Sequence, residues 1–261
     1  PMSLIKTPEE IAKLREGGVI LSRVLREIRE ACVAGVTSEE LDAIARKRFA
    51  EVGATPSFLD YKIDPEGRGF PGALCVSIND EVVHGLPIPA RTIKNGDIVG
   101  LDIGMWYKGL ATDMATTVIV GETDERTRRL VTDTREALTV ALSVVRAGAF
   151  IHEIGNAIED LIKPKGYGIV RDLVGHGVGH AVHEEPQIPH YRERHAPQIK
   201  MQEGMVLAIE PMITLGDWRV YLKGDEWGIA TQDGSTVAHF DLTIAVTKDG
   251  YELITPWPDL Q

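Results

Sequence analysis

Five of the eight histidines, His176, His180, His183, His190 and His195, fall within 20 residues, where even scattering would place fewer than one. In the run Gly175-His176-Gly177-Val178-Gly179-His180-Ala181-Val182-His183, glycines alternate with other residues. That pattern is too costly for a helix interior. It predicts an extended segment whose backbone approaches something closely and whose imidazoles can meet a metal or a substrate. His190 and His195 lie in a polar, proline-bearing stretch and read as solvent-exposed loop histidines. Four acids join His176 as candidates. Asp102 ends the apolar run Ile98, Val99, Leu101, and Asp113 follows 11 residues later at the start of another β-like run, so a hairpin would bring the pair together. Glu210 follows Val206, Leu207, Ala208 and Ile209, and Asp241 precedes Thr243, Ile244 and Val246. Taken singly, each acid is more often a turn or capping residue. Taken together, buried carboxylates repel and are poorly solvated unless a cation lies between them. Four oxygen donors and one imidazole suit two divalent ions and hydrolysis by an activated water.

The elements that must position these residues show their own signals. Thr7, Pro8 and Glu10 read as an N-cap, a proline at the first helical position and a capping-box glutamate. Ile11, Leu14, Val19, Leu21, Leu25 and Ile28 then follow helical spacing, with Gly35 as a stop. Thr37 and Glu40 cap a second helix running to about Gly53. Ala34-Gly35, Glu40-Leu41 and Gly53 recur as Ala147-Gly148, Glu153-Ile154 and Gly166, displaced by 113, which reads as a duplicated helix pair with its second copy beginning near Thr123. β-like sequence follows each pair: 75–78, 97–103 and 116–120, then 206–209, 236–240 and 243–246. Gly96 to Asp102 resembles Gly204 to Glu210, so Asp102 and Glu210 occupy equivalent places. The expectation is a single α+β catalytic domain over 1–261, with pseudo-repeats at about 7–120 and 123–247 sharing one core.

Composition narrows the class. With 28 Lys+Arg against 39 Asp+Glu the net charge is −11, which argues against a nucleic-acid binder that neutralises phosphates. No stretch of about 18 apolar residues and no signal-peptide core is present in the sequence, so a soluble, cytoplasmic protein is expected, with no membrane partner. Cys32 and Cys75, 43 positions apart, form neither a zinc spacing nor a disulfide framework.

The blocks Ser77-Ile78-Asn79-Asp80-Glu81-Val82-Val83-His84-Gly85-Leu86-Pro87, Gly96-Asp97-Ile98-Val99 through Asp102 to Asp113, Gly175-His176-Gly177-Val178-Gly179 through His183-Glu184-Glu185-Pro186, and Ile209-Glu210-Pro211-Met212 resemble type I methionine aminopeptidases. The likeness extends from Thr7 to Thr247 and rests jointly on the spacings 84 to 102, 102 to 113, 176 to 183 and 210 to 241. It implies the pita-bread fold, two pseudo-symmetric αβ halves around a dinuclear metal site. It further implies that Asp102, Asp113, His176, Glu210 and Asp241 hold two divalent ions (Mn, Fe(II), Co or Zn), with Asp113 and Asp241 bridging. Glu210 would shuttle the proton of the bridging water, His183 would bond the scissile carbonyl, and His84 would contact the amide nitrogen side. The methionine pocket would be walled by Phe58, Tyr61, Phe70, Cys75 and Trp227, each of which also suits an ordinary core. The implied activity is removal of the initiator methionine from nascent polypeptides with a small second residue, by a monomer in passing contact with the ribosome.

Three departures from the resembled pattern stand out. Position 241 is Asp where the family has Glu, with Leu242 in place of the following His, so the second ion is expected to bind weakly. An insertion of about six residues, Ile63 to Arg68, falls between Tyr61 and Phe70, and its Asp-Pro and Glu-Gly pairs predict a turn. His239 stands where Gln is usual. Two competing readings remain at this stage: a Xaa-Pro-type aminopeptidase on the same fold, and a metal-depleted pita-bread binding protein.

Overall fold

A computed structural model of the protein describes residues 4–259. Helix α1 (Pro8–Ala31) starts at a complete capping box: the Thr7 hydroxyl accepts from Glu10 N–H, and the Glu10 carboxylate accepts from Thr7 N–H at 2.8 Å. Thr37 and Glu40 repeat the arrangement at α2 (Ser38–Glu51). Each N-cap contributes about 1 kcal/mol, and the two fix where the chain turns into helix. Asp124 caps α3 (Glu125–Ser143), which α4 (His152–Ile162) follows. Buried Asp42 of α2 accepts from the N–H groups of Ala73 and Leu74, fastening that helix to the start of the Leu74–Ile78 strand.

The main sheet has nine strands, all paired antiparallel. Its centre runs Ile98–Tyr107, Leu110–Ile119, Asp241–Val246, Val206–Ile209, Gly175–Gly177. The first two form a hairpin of ten residues a side, longer than the sequence reading gave them. Lys108 and Gly109 both have positive φ, 50° and 80°, the two-residue turn whose twist matches the flanking strands, so pairing continues unbroken from Ile98↔Ile119 to Tyr107↔Leu110.

Alternation along each strand divides its side chains between two faces. Leu101 and Ile103, Met114, Leu242 and Ile244, and Leu207 and Ile209 face the helices and pack with Leu25, Phe49, Leu138 and Ile158 in one core cluster drawn from all four helices. The intervening residues, including Asp102, Asp113, Asp241 and Ala208, turn to the opposite face. Among the described residues no helix is long and apolar enough to cross a membrane.

Candidate active site

The register of the sheet assembles the acids. Ala115 pairs with Asp102 on one side and with Asp241 on the other, so two carboxylates flank one small residue across three strands. Asp113 lies two residues before Ala115, on the same face and diagonal to Asp102. One step beyond the Leu242↔Ile209 pair, Asp241 faces Glu210, and His176 pairs with Ala208, two residues before Glu210. All five residues therefore share one face. Glu210 and Asp241 do lie at strand ends, but Asp102 and Asp113 lie well inside the hairpin, which corrects the sequence reading; the tight 108–109 turn carries the pairing past both.

Close packing around His176 explains the alternating glycines. A Cβ at Gly175 would meet the Ala208 carbonyl oxygen at 2.5 Å, and one at Gly177 would meet the Glu185 oxygen at 2.3 Å. The close approach is thus to neighbouring strands, and it brings the imidazole among the carboxylates. His176 Nδ1 is 2.8 Å from the Gly177 carbonyl, which makes Nδ1–H the donor and leaves Nε2 towards Asp113 (3.6 Å) and Glu210 (3.4 Å). Although burial disfavours its charged form, the Asp113 and Glu210 carboxylates raise its pKa to about 9.

Burial, then the charges of Asp113 and Glu210, push Asp102 well above the usual carboxylate range; burial with Asp113, Glu210 and Asp102 does the same to Asp241. Burial also acts to raise Glu210, but His239 and His176 outweigh it and hold that carboxyl below its ordinary value. His239 Nε2 is 3.6 Å from Glu210 Oε2.

Oδ1 of Asp113 and Oδ1 of Asp241 are buried without a hydrogen-bond partner. Such orphaned oxygens beside an imidazole whose Nε2 points at the carboxylates fit divalent-cation chemistry, the cation taking the place of the Nε2 proton. Among the described residues no three of these groups are drawn to ligand distance about one point; they are near neighbours in pairs. Asp241, 2% exposed, does not line the cavity, although Asp102 and Asp113 do.

A cavity of about 530 Å³ opens above the acids, with Asp102, Asp113, His176 and Glu210 along it. Its apolar end is built by Phe70 and Trp227, ring centroids 5.2 Å apart and edge to face, with Phe58 and Cys75. Cys75 is there because it pairs with Asp102 across adjacent strands. Trp227 is held in a tight turn, where its N–H and that of Gly228 donate to Asp225. His84 and His183 both line the cavity, and Tyr61 OH lies 2.8 Å from His183 Nδ1. His84 sits at φ +57°, a region that non-glycine residues rarely occupy. Ile63 of the insertion lines the cavity too, and the insertion turns as read, with Glu66 and Gly67 N–H donating to Asp64.

Sequence reasoning misplaced one residue of this site. His190 is fully buried, not a solvent-exposed loop histidine, and its Nε2 accepts from the backbone N–H of Glu210 at 3.1 Å. Burial lowers its pKa to about 4. A 20-residue separation between the partners gave no local signal, although the position of His190 just beyond the glycine-flanked histidines was a hint. His195 is exposed as read, and His180 contacts Glu10, away from the acids. Val83 and Met212, which also line the cavity, were not singled out.

The profile of Metallopeptidase family M24 matches residues 12–248. A methionine aminopeptidase of Borreliella burgdorferi is 41% identical over 250 residues, spanning 96% of both chains. The crystal structure of methionine aminopeptidase from Thermotoga maritima superposes with a TM-score of 0.91 at 43% identity, covering 96% of this chain and 98% of that one. A Xaa-Pro dipeptidase from Bacillus anthracis shares the architecture at 26% identity and TM-score 0.75, but this chain covers only 62% of it. The nine-stranded antiparallel sheet with its helix pairs is therefore the pita-bread fold. Near-complete mutual coverage of the first two relatives, together with the matched profile, establishes that this chain belongs to the methionine aminopeptidases of metallopeptidase family M24.

Proposed function

We propose that this protein removes the N-terminal methionine from newly made polypeptides whose second residue is small. One observation carries the reading: Asp102, Asp113, His176 and Glu210 line a cavity whose other wall is apolar and aromatic, and Oδ1 of Asp113 and of the adjoining Asp241 lie buried without a partner. Asp102, Asp113, His176, Glu210 and Asp241 would hold two divalent ions, and a mostly oxygen donor set suits Mn, Fe(II), Co or Zn. Such ions supply Lewis acidity, polarising the scissile carbonyl and acidifying water. Glu210 takes the proton of the attacking water and passes it to the departing amine nitrogen. His183 donates to the carbonyl oxygen as negative charge grows there. His84 faces the amide nitrogen side, and burial, lowering its pKa to about 4, keeps it neutral. Phe58, Phe70, Cys75 and Trp227 receive the methionine side chain, whose thioether packs well against ring edges. Action on nascent chains places the enzyme in the cytoplasm, as a monomer meeting the ribosome in passing.

Substrate preference tests the reading. Met-Ala-Ser should yield free methionine, whereas Leu-Ala-Ser and Ala-Pro-Ser should not be cut. Cleavage of the proline peptide in preference to the methionine peptide would favour the Xaa-Pro alternative.

A further inference from the structure

We propose that Tyr61 is a positioning residue for His183, holding its imidazole with Nδ1 as acceptor so that Nε2–H is the group offered to the cavity. The proposal rests on the reading of His183 given above. Tyr61 OH and His183 Nδ1 are 2.8 Å apart, and the two rings meet edge to face at a centroid distance of 5.3 Å. Either group could donate across that contact. An imidazole nitrogen is a stronger acceptor than a phenol oxygen, so the phenol O–H donates and the ring proton resides on Nε2. Burial raises the Tyr61 pKa and keeps the phenol protonated.

The backbone that carries the phenol is well anchored. Tyr61 N–H donates to Phe58 O and Tyr61 O accepts from Phe70 N–H, both at 2.9 Å, while Asp60 N–H donates to Phe70 O at 2.8 Å. The insertion thus leaves and rejoins a pinned base, and Tyr61 belongs to that base. The His176 ring also packs edge-on against His183, at 4.5 Å. Both rings restrict the imidazole, and of the two it is Tyr61 that meets a ring nitrogen and so reads which one carries the proton. In the opposite tautomer the Nε2 lone pair would face the oxygen on which negative charge grows and the interaction would turn repulsive, and with the ring flipped a C–H would stand where the N–H donor is needed.

Tyr61→Phe removes only the hydroxyl. With Met-Ala-Ser as substrate, kcat should fall about tenfold while KM stays within about twofold, the order expected when the orienting partner of a histidine is lost. In a His183→Gln background, where no ring tautomer exists, the same substitution should change kcat less than about twofold. ¹⁵N spectra of the ring should show Nε2 protonated in the parent and mixed or reversed protonation in Tyr61→Phe. An unchanged kcat, an equal loss in both backgrounds, or identical ¹⁵N signals would overturn the proposal. If the parent released no methionine at all, the activity reading would fall, and the ¹⁵N comparison would still decide the tautomer.

Discussion

The backbone N–H of half-buried Glu210 donates to Nε2 of fully buried His190 across 3.1 Å. That bond fixes the chain where the Val206–Ile209 strand ends and Glu210 begins. His190→Leu would keep the bulk and leave the Glu210 N–H without its acceptor, at about 1–3 kcal/mol. We expect a lower Tm and a drop in kcat of about tenfold or more as Glu210 shifts, with His190→Gln recovering part of each. Thermal melts and steady-state kinetics on the two variants check this; equal behaviour of Leu and Gln would show that only bulk matters.

His84 occupies the left-handed region, a conformation that costs a non-glycine residue about 1–3 kcal/mol. Asparagine tolerates that conformation. His84→Asn should therefore leave the fold intact, with far-UV circular dichroism unchanged, and lower kcat/KM by about 10²-fold. Activity within about twofold of the parent would remove His84 from the reaction.

Much of this was legible locally. Thr7 with Glu10 and Thr37 with Glu40 declare helix starts within four residues, because capping is a contact between near neighbours. The alternation of Asp102 with Leu101 and Ile103 declares its face. What the sequence could not show is which strands lie side by side. Ala115 between Asp102 and Asp241 joins residues more than a hundred positions apart, and His190 is recognised only through a backbone group in another strand. The strand-end placement of Asp102 failed because a two-residue turn at Lys108 and Gly109 lengthened the hairpin. The weakly patterned run 110–115 concealed this.

Protonation of the site should oppose metal binding. Asp102 and Asp241 have raised pKa values, and His176 is raised to about 9, so the metal-free folded protein binds more protons than the unfolded chain. The stability those groups lend is complete below their unfolded values, about 3.9 for Asp and 6.5 for His, and is lost as pH rises through the folded ones. His84 and His190, lowered to about 4, act oppositely: stability falls as pH drops from about 6.5 to 4. Divalent ions replace the protons, so Mn(II) should raise Tm more at pH 8 than at pH 6. Calorimetry in buffers of different ionisation enthalpy should show proton release on binding. Equal Tm shifts and no proton release would contradict this.

Asp241 is buried and does not line the cavity. We expect the second Mn(II) to bind more weakly than the first, and Asp241→Glu, one methylene longer, to tighten the second step about tenfold. Unchanged stoichiometry and activity would show that the aspartate serves as well as a glutamate.

The most direct measurement is hydrolysis of Met-Ala-Ser by protein stripped of metal and then titrated with Mn(II) or Co(II), with a Xaa-Pro peptide alongside. Metal-dependent release of methionine, and no cleavage of the proline peptide, is the expected result. No cleavage with any ion by protein that remains folded would contradict the assignment of these acids and histidines to methionine removal.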